Sequence, residues 1–292
     1  MSDTATVAAA PAPAAPAYKP KKISVWRRSP SLLVGVVLVA LTCLVAAFPN
    51  VFAPDDPTAM DFLAMLQPPS AEHWFGTDNY GRDIYTLVIH ATRLDLLIGL
   101  GSVALPFVLG SLLGLIAGYY GGKIDEVIMK LIDTQMAFPG VLLALMLIAV
   151  FGNSLQNLIF ALGIMSIPRF ARITRSGFIK YRDAEFIKAA RSRGAGDGRI
   201  IFLHILPNIV PELIVTSSLG FAGAVMSEAG LSYLGLGIQP PTPSFGKMLS
   251  EAQAEILQAG WYVLVPAAAI TLLVMGFNLI GDALQEVTQH GR

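Results

Sequence analysis

Cysteine is almost absent: Cys43 stands alone inside an apolar run, so the chain has no internal disulfide and no cysteine metal set, and the thiol is expected to serve packing. Charged residues are also scarce, at 14%, and the two signs cancel. With 54% hydrophobic residues in 292, the chain is too apolar for a soluble domain of this length, and nothing suggests a nucleic-acid partner. No phosphate loop is present. The nearest stretch, Ala117-Gly-Tyr-Tyr-Gly-Gly122-Lys123-Ile124, lacks both the first glycine and the final hydroxyl, so nucleotide chemistry falls to another chain. His73, His90, His204 and His290 are scattered without helical pairing, so no metal and no cofactor is expected. A convergent nucleophile and base cannot be named, which sets aside a membrane-embedded hydrolase.

What the chain does have is apolar length. Six segments stand out, at about 31–49, 94–119, 137–152, 156–174, 207–230 and 261–281. With flanking residues, each can supply the roughly 20 residues that cross a 30 Å hydrocarbon core. The reading is an all-α integral membrane protein with six transmembrane helices. The third and fourth segments are divided only by Gly152-Asn153-Ser154-Leu155-Gln156, and hydropathy alone leaves a re-entrant pair open. The first segment, from Ser31 to Phe48, follows basic residues but ends at Phe48-Pro49-Asn50, a poor cleavage site, so it reads as a retained anchor. Residues 2–17 are almost wholly Ala, Pro, Thr and Val and are expected to form a disordered tail.

Orientation follows the cations, because short loops rich in Lys and Arg stay in the cytoplasm. Lys19, Lys21, Lys22, Arg27 and Arg28 lie before the first segment, and a run from Arg169 to Arg199 lies around the fourth-to-fifth connection. Six crossings put both regions and both termini inside. The first external loop then carries Asp55, Asp56, Asp61, Glu72, Asp78 and Asp83 against Arg82. In the second segment, Gly110, Gly114 and Gly118 form a small-residue ridge suited to close helix packing. Pro106 is expected to bend that helix, and Pro139 to start the third.

An ion-coupled secondary transporter is the alternative for such a bundle, and it calls for ionisable residues deep in the membrane. At the helical rise, Glu212 lies about 8 Å and Glu228 about 31 Å along the fifth helix from Pro207. Both fall near interfaces, and Asp95, Asp133 and Asp282 also fall near segment ends, which disfavours that alternative.

The most informative stretch runs from Tyr181 to Pro207. Helix-forming residues extend from Asp183 to Arg193, with Phe186, Ala189, Ala190 and Arg193 on or near one face, and Gly194 is placed to end the helix. A plain basic loop held by anionic lipid explains the arginines. It leaves unexplained the small residues Ala189 and Ala190, followed at fixed distance by Gly194 and Leu206-Pro207, which suit a knob fitting a partner's groove.

On these residues the chain resembles the permease subunits of binding-protein-dependent ABC importers. Their cytoplasmic signature reads Glu-Ala-Ala, three residues, Gly, nine residues, then Ile-x-Leu-Pro. Ala189-Ala190, Gly194 and Leu206-Pro207 match in spacing, while Lys188 and His204 stand where glutamate and isoleucine are usual. Phe75-Gly-Thr-Asp-Asn-Tyr-Gly-Arg-Asp83 and the stretch Leu231 to Leu249 are similar to the C-type subunit of the dipeptide and oligopeptide branch, and Gln285 stands where arginine is common.

The resemblance implies a type I ABC importer permease fold with cytoplasmic coupling helices and no enzymatic activity of its own. It implies ATPase coupling through Glu185, Ala189, Ala190, Arg191, Gly194, Ala195, Leu206 and Pro207, and leaves substrate-binding residues unassigned. It divides the chain into a disordered cytoplasmic tail (1–22), an anchor helix with the start of the first external loop (23–75), the importer domain (90–283) and a C-terminal tail (284–292). The implied partners are a homologous permease subunit, two ATP-binding subunits and a solute-binding protein, with membrane lipid around them in the bacterial inner membrane. The implied cargo is a dipeptide or short oligopeptide; glutathione and nickel chelates belong to the same branch.

Overall fold

The computed structural model describes residues 30–290, with side chains through 286; the tail 1–22 and residues 23–29 of the anchor lie outside the described residues. Every regular element among the described residues is helical, and one isolated bridge pairs Thr77 with Asp83. The first helices are α1 (Pro30–Ala47) and the single turn α2 (Pro49–Phe52). After an irregular segment comes α3 (Ile84–Tyr120), 37 residues that run unbroken through Pro106. Asp83 starts α3 by accepting both the amide and the hydroxyl of Thr86 at 2.8 Å. Gly121, with φ +68°, ends it.

Next come α4 (Gly122–Met136) and α5 (Gly140–Phe151), set at 86° to each other, with Pro139 immediately before α5 as a helix-start residue. A long helix, α6 (Leu155–Arg182), leads to the short α7 (Glu185–Ser192). One turn, Asp197–Arg199, then passes through a π-helical stretch, Ile200–Ile205, into α8 (Leu206–Tyr233). The chain finishes with α9 (Phe245–Ala252) and α10 (Gly260–His290), so the tail expected from residue 284 is helical through His290.

Among the described residues, four helices are long and apolar enough to cross a membrane, or five if the bent α4 and α5 count as one span. Alone, α5 has 12 residues, about 18 Å at the helical rise and short of the hydrocarbon thickness. Although α6 is long enough, its mean hydropathy is lowered by the polar and basic side chains of its second half. A Cβ built on Gly110, Gly114 or Gly118 would come within 2.8, 2.2 or 2.7 Å of α6 backbone, so the predicted ridge seats α6 directly against α3.

At its start, α3 meets the irregular segment 53–83, α9 and α10. At its far end it meets the connection from α6 to α8. These two regions lie at opposite ends of a helix about 55 Å long.

Two expectations need correction. Cys43 is exposed on α1 instead of packed inside, because little of α1 is covered by the rest of the fold, its buried residues being Leu32, Gly35 and Ala46. Asp95 and Glu228 do lie toward helix ends, but both are fully buried, and Asp95 comes within hydrogen-bonding reach of Glu228. The Phe245 amide donates to Asp95 Oδ2 at 3.2 Å, and the Ser232 hydroxyl donates to Glu228 Oε1 at 2.5 Å. The acids thus join α3, α8 and α9 within the protein.

Candidate functional site

The loop between α6 and α8 is built around one side chain. Ile187, wholly buried, inserts into an apolar cluster with Leu115 and Tyr119 of α3, Phe178 of α6, Ile200 and Ile205 of the π-helical stretch and Ile209 of α8. The short α7 is amphipathic and too short to hold without such an anchor. Glu185 in its first turn and Arg191 in its last both suit the helix dipole.

At the end of α7 the Gly194 amide donates to Arg191 O at 2.9 Å, and the Ala195 amide donates to Ala190 O at 3.1 Å. This pair is a Schellman closure, and it requires the left-handed backbone that Gly194 supplies at φ +83°. A Cβ on Gly194 would meet nothing within 4 Å, so the requirement is conformational and not steric.

Polar contacts lock the loop to the end of α3. The Tyr119 hydroxyl donates to Asp197 Oδ1 at 2.5 Å and accepts from Arg191 Nη2 at 3.3 Å. Arg182 Nη1 donates to Gly118 O at 3.2 Å. On the solvent side, Lys188 Nζ donates to Glu185 Oε1 at 2.8 Å, and this bond holds the Glu185 carboxyl below its ordinary range and the Lys188 ammonium above its own.

Of the residues singled out from sequence, Glu185, Ala189, Arg191 and Gly194 are exposed on α7 and its cap, while Ala190 and Ala195 are half-buried beneath them. Phe186 is 46% exposed beside Ala189 and gives the outer face an apolar point. Leu206 packs against the buried cluster, and Pro207 begins α8 as expected. Just before Pro207, the Leu206 amide reaches back five residues to Ile201 O, a wide turn that passes the proline without breaking the rod. The helix runs from 185 to 192 instead of from 183 to 193, because Asp183 and Ala184 form the turn out of α6.

Sequence reasoning missed Ile187, Tyr119 and Asp197. Ile187 carried a usable signal, as the one β-branched apolar residue in α7; the partnership of Tyr119 and Asp197 spans the fold and left none.

At the opposite end, the Gly-Thr-Asp-x-x-Gly-Arg-Asp stretch is a clamp. Asp78, wholly buried, accepts from the Tyr80 and Arg82 amides at 2.8 Å each and from Arg82 Nε at 2.6 Å. Arg82 Nη2 reaches Glu251 Oε2 at 2.9 Å. Burial disfavours charge on Arg82, but Asp78 and Glu251 outweigh it and hold the guanidinium above its ordinary range. Tyr262 closes the clamp by donating to Asn79 or Glu251, at 3.2 and 3.3 Å. No group of three or more potential metal ligands occurs among the described residues.

A bundle of long apolar helices, with a rigid amphipathic knob at one end and a braced loop layer at the other, defines a multi-pass membrane transport subunit. Residues 110–291 match the family described as "Binding-protein-dependent transport system inner membrane component", and the chain belongs to that family. It is therefore a permease subunit of an ABC importer; such subunits are not themselves enzymes, and ATP hydrolysis lies with partner subunits.

The chain is 43% identical over 271 residues to the dipeptide transport system permease protein DppC of Alkalihalophilus pseudofirmus, covering 90% of this chain and 89% of that one. It is 39% identical over 265 residues to the glutathione transport system permease protein GsiD of Pectobacterium atrosepticum, covering 89% and 88%. Among solved structures, an inward-facing form of the MetNI methionine ABC transporter shares the fold, with a TM-score of 0.57 at 19% identity over 70% of this chain and 96% of that one. Family membership replaces the ion-coupled alternative.

Proposed function

We propose that this chain is one of two homologous permeases lining a pore for dipeptides or short oligopeptides, and that α7 is its coupling helix. The names of the relatives support a peptide cargo, and dipeptide is the choice within that set. One observation carries the coupling assignment: the outer face of α7 presents Phe186, Ala189 and Gly194 over a rigid Ile187 anchor. Small side chains allow a partner's groove to close tightly around the knob, and the anchor passes that closure to α3, α6 and α8 without slack.

In this reading the membrane is crossed six times, by α1, α3, the bent α4–α5 pair, α6, α8 and α10, with both termini on the α7 side in the cytoplasm. A solute-binding protein delivers peptide to the segments 53–83 and 234–259. ATP-driven closure of two ATPases moves both subunits' α7 helices together and turns the pore outward. The domain limits follow: importer core 90–283, anchor and first external loop 23–75, and cytoplasmic ends 1–22 and 284–292.

The test is uptake of labelled dialanine by proteoliposomes holding the full complex. ATP-dependent uptake that persists without any ion gradient supports the reading, and uptake that follows a proton or sodium gradient without ATP refutes it.

A further inference from the structure

Arg169, Arg172 and Arg175 recur at three-residue spacing along α6, and two of them are answered by acids of α4. Arg175 Nε and Nη2 bond both oxygens of Asp125 at 2.5 and 2.7 Å. Arg172 Nη2 bonds Asp133 Oδ1 at 2.6 Å. At the next level no third acid exists. Gln135 occupies that end of α4 and donates to Ile164 O at 2.6 Å, so Arg169 has no hydrogen bond or ion pair among the described residues.

Position makes the unpaired charge significant. Arg169 stands about 21 Å from the Leu155 end of α6 and about 20 Å from the Arg182 end. At mid-helix Arg169 is exposed, so its charge is open to water or to a passing anion. Arg169 faces a cavity of about 510 Å³ lined also by Gln135, Met136, Phe138, Met165 and Arg172. That volume falls in the range of small-ligand pockets, roughly 300–1,000 Å³. The wall combines apolar surface for side chains with one free guanidinium, whose fork matches a carboxylate.

We propose that Arg169 is a substrate-contacting residue of the translocation path, receiving the C-terminal carboxylate of a peptide in transit while Arg172 and Arg175 hold α4 against α6. The assignment rests on the peptide-importer reading and adds a residue to it. Because the contact is water-exposed and single, it holds the carboxylate weakly enough to release it, as transport requires.

The experiment uses the full complex in proteoliposomes with dialanine as probe. R169Q is expected to lower ATP-driven uptake at least tenfold while ATP hydrolysis continues, and R169K to retain an intermediate rate. R169Q uptake equal to wild type overturns the proposal. A loss in R169Q that appears only in vesicles containing anionic phosphatidylglycerol also overturns it, because the partner is then a lipid headgroup.

A second measurement leaves Arg169 in place. In a C43S background, Met165→Cys puts a thiol in the same cavity, and its reaction with a water-soluble thiol reagent is expected to slow several-fold during dialanine turnover. An unchanged rate in a complex that still transports overturns the proposal. A wild-type complex that takes up no dialanine would instead remove the peptide reading itself, so the two failures are distinct.

Discussion

The Tyr119 hydroxyl lies 2.5 Å from Asp197 Oδ1, joining the last turn of α3 to the single turn that leads into α8. Arg191 of α7 meets the same hydroxyl at 3.3 Å, so one oxygen ties together the end of α3, α7 and the turn before α8. Tyr119→Phe keeps the ring in its cluster and removes both bonds. A hydrogen bond to a charged group contributes about 1.5–3 kcal/mol. The variant is expected to insert normally and bind its ATPases while uptake per ATP hydrolysed falls several-fold; a wild-type ratio in proteoliposomes would contradict the role given to this contact.

Ile187 should be the most sensitive apolar position in the loop. Truncating a fully buried isoleucine to alanine costs roughly 2–5 kcal/mol, more than an eight-residue helix can replace from its own bonds. For Ile187→Ala the expected result is faster protease cleavage between residues 183 and 200, with the rest of the bundle intact on the same gel.

Gly194 tests backbone conformation apart from bulk. With open space around its Cβ position, substitution is penalised by the left-handed φ alone, by about 1–2 kcal/mol for an ordinary residue. Uptake is expected to fall in the order Gly, Asn, Ala, Val, because asparagine tolerates this region best. Equal activity across the series would mean that the Schellman closure is dispensable.

The clamp around Arg82 gives a stability prediction. Arg82→Ala strands the buried Asp78 carboxylate, and breaking one side of a buried pair costs about 3–5 kcal/mol. Gly81→Ala is expected to be comparably harmful, since its Cβ would sit 1.7 Å from the Asp61 carbonyl oxygen. Both should lower the thermal midpoint of the detergent-solubilised complex, and an unshifted midpoint would show that the clamp carries no load.

Local signals survived the passage from sequence to structure. The glycine spacing of α3, the helix-ending Gly194 and the helix-starting Pro139 each depend on residues close by in the chain, and the pattern of residues showed them, whereas the π-helical entry to Pro207 left no such sign. Long-range partners left no such trace. Asp95 and Glu228 looked like interface acids because hydropathy counts position along a helix and cannot see that α9 and α8 close over them. Tyr119 was silent for the same reason, since its meaning comes from Asp197, and Arg169 showed only as one of a run of cations, because the acid that α4 does not provide opposite it is a matter of the fold. The apolar character of α6 was blurred because the polar and basic side chains of its second half, Arg172 and Arg175 paired with α4 among them, lower its mean hydropathy.

The coupling role of α7 is tested most directly by purifying a tagged chain from membranes and asking what comes with it, first as wild type and then with Ala190→Glu. Ala190 is half-buried beneath the exposed face of α7, where a long charged side chain is expected to displace the helix from the position a groove would meet. The expected result is that wild type brings two ATPases and a second permease, and that A190E keeps the permease and loses the ATPases. A wild-type chain that purifies without any ATPase, or an A190E chain that retains both, would contradict the account.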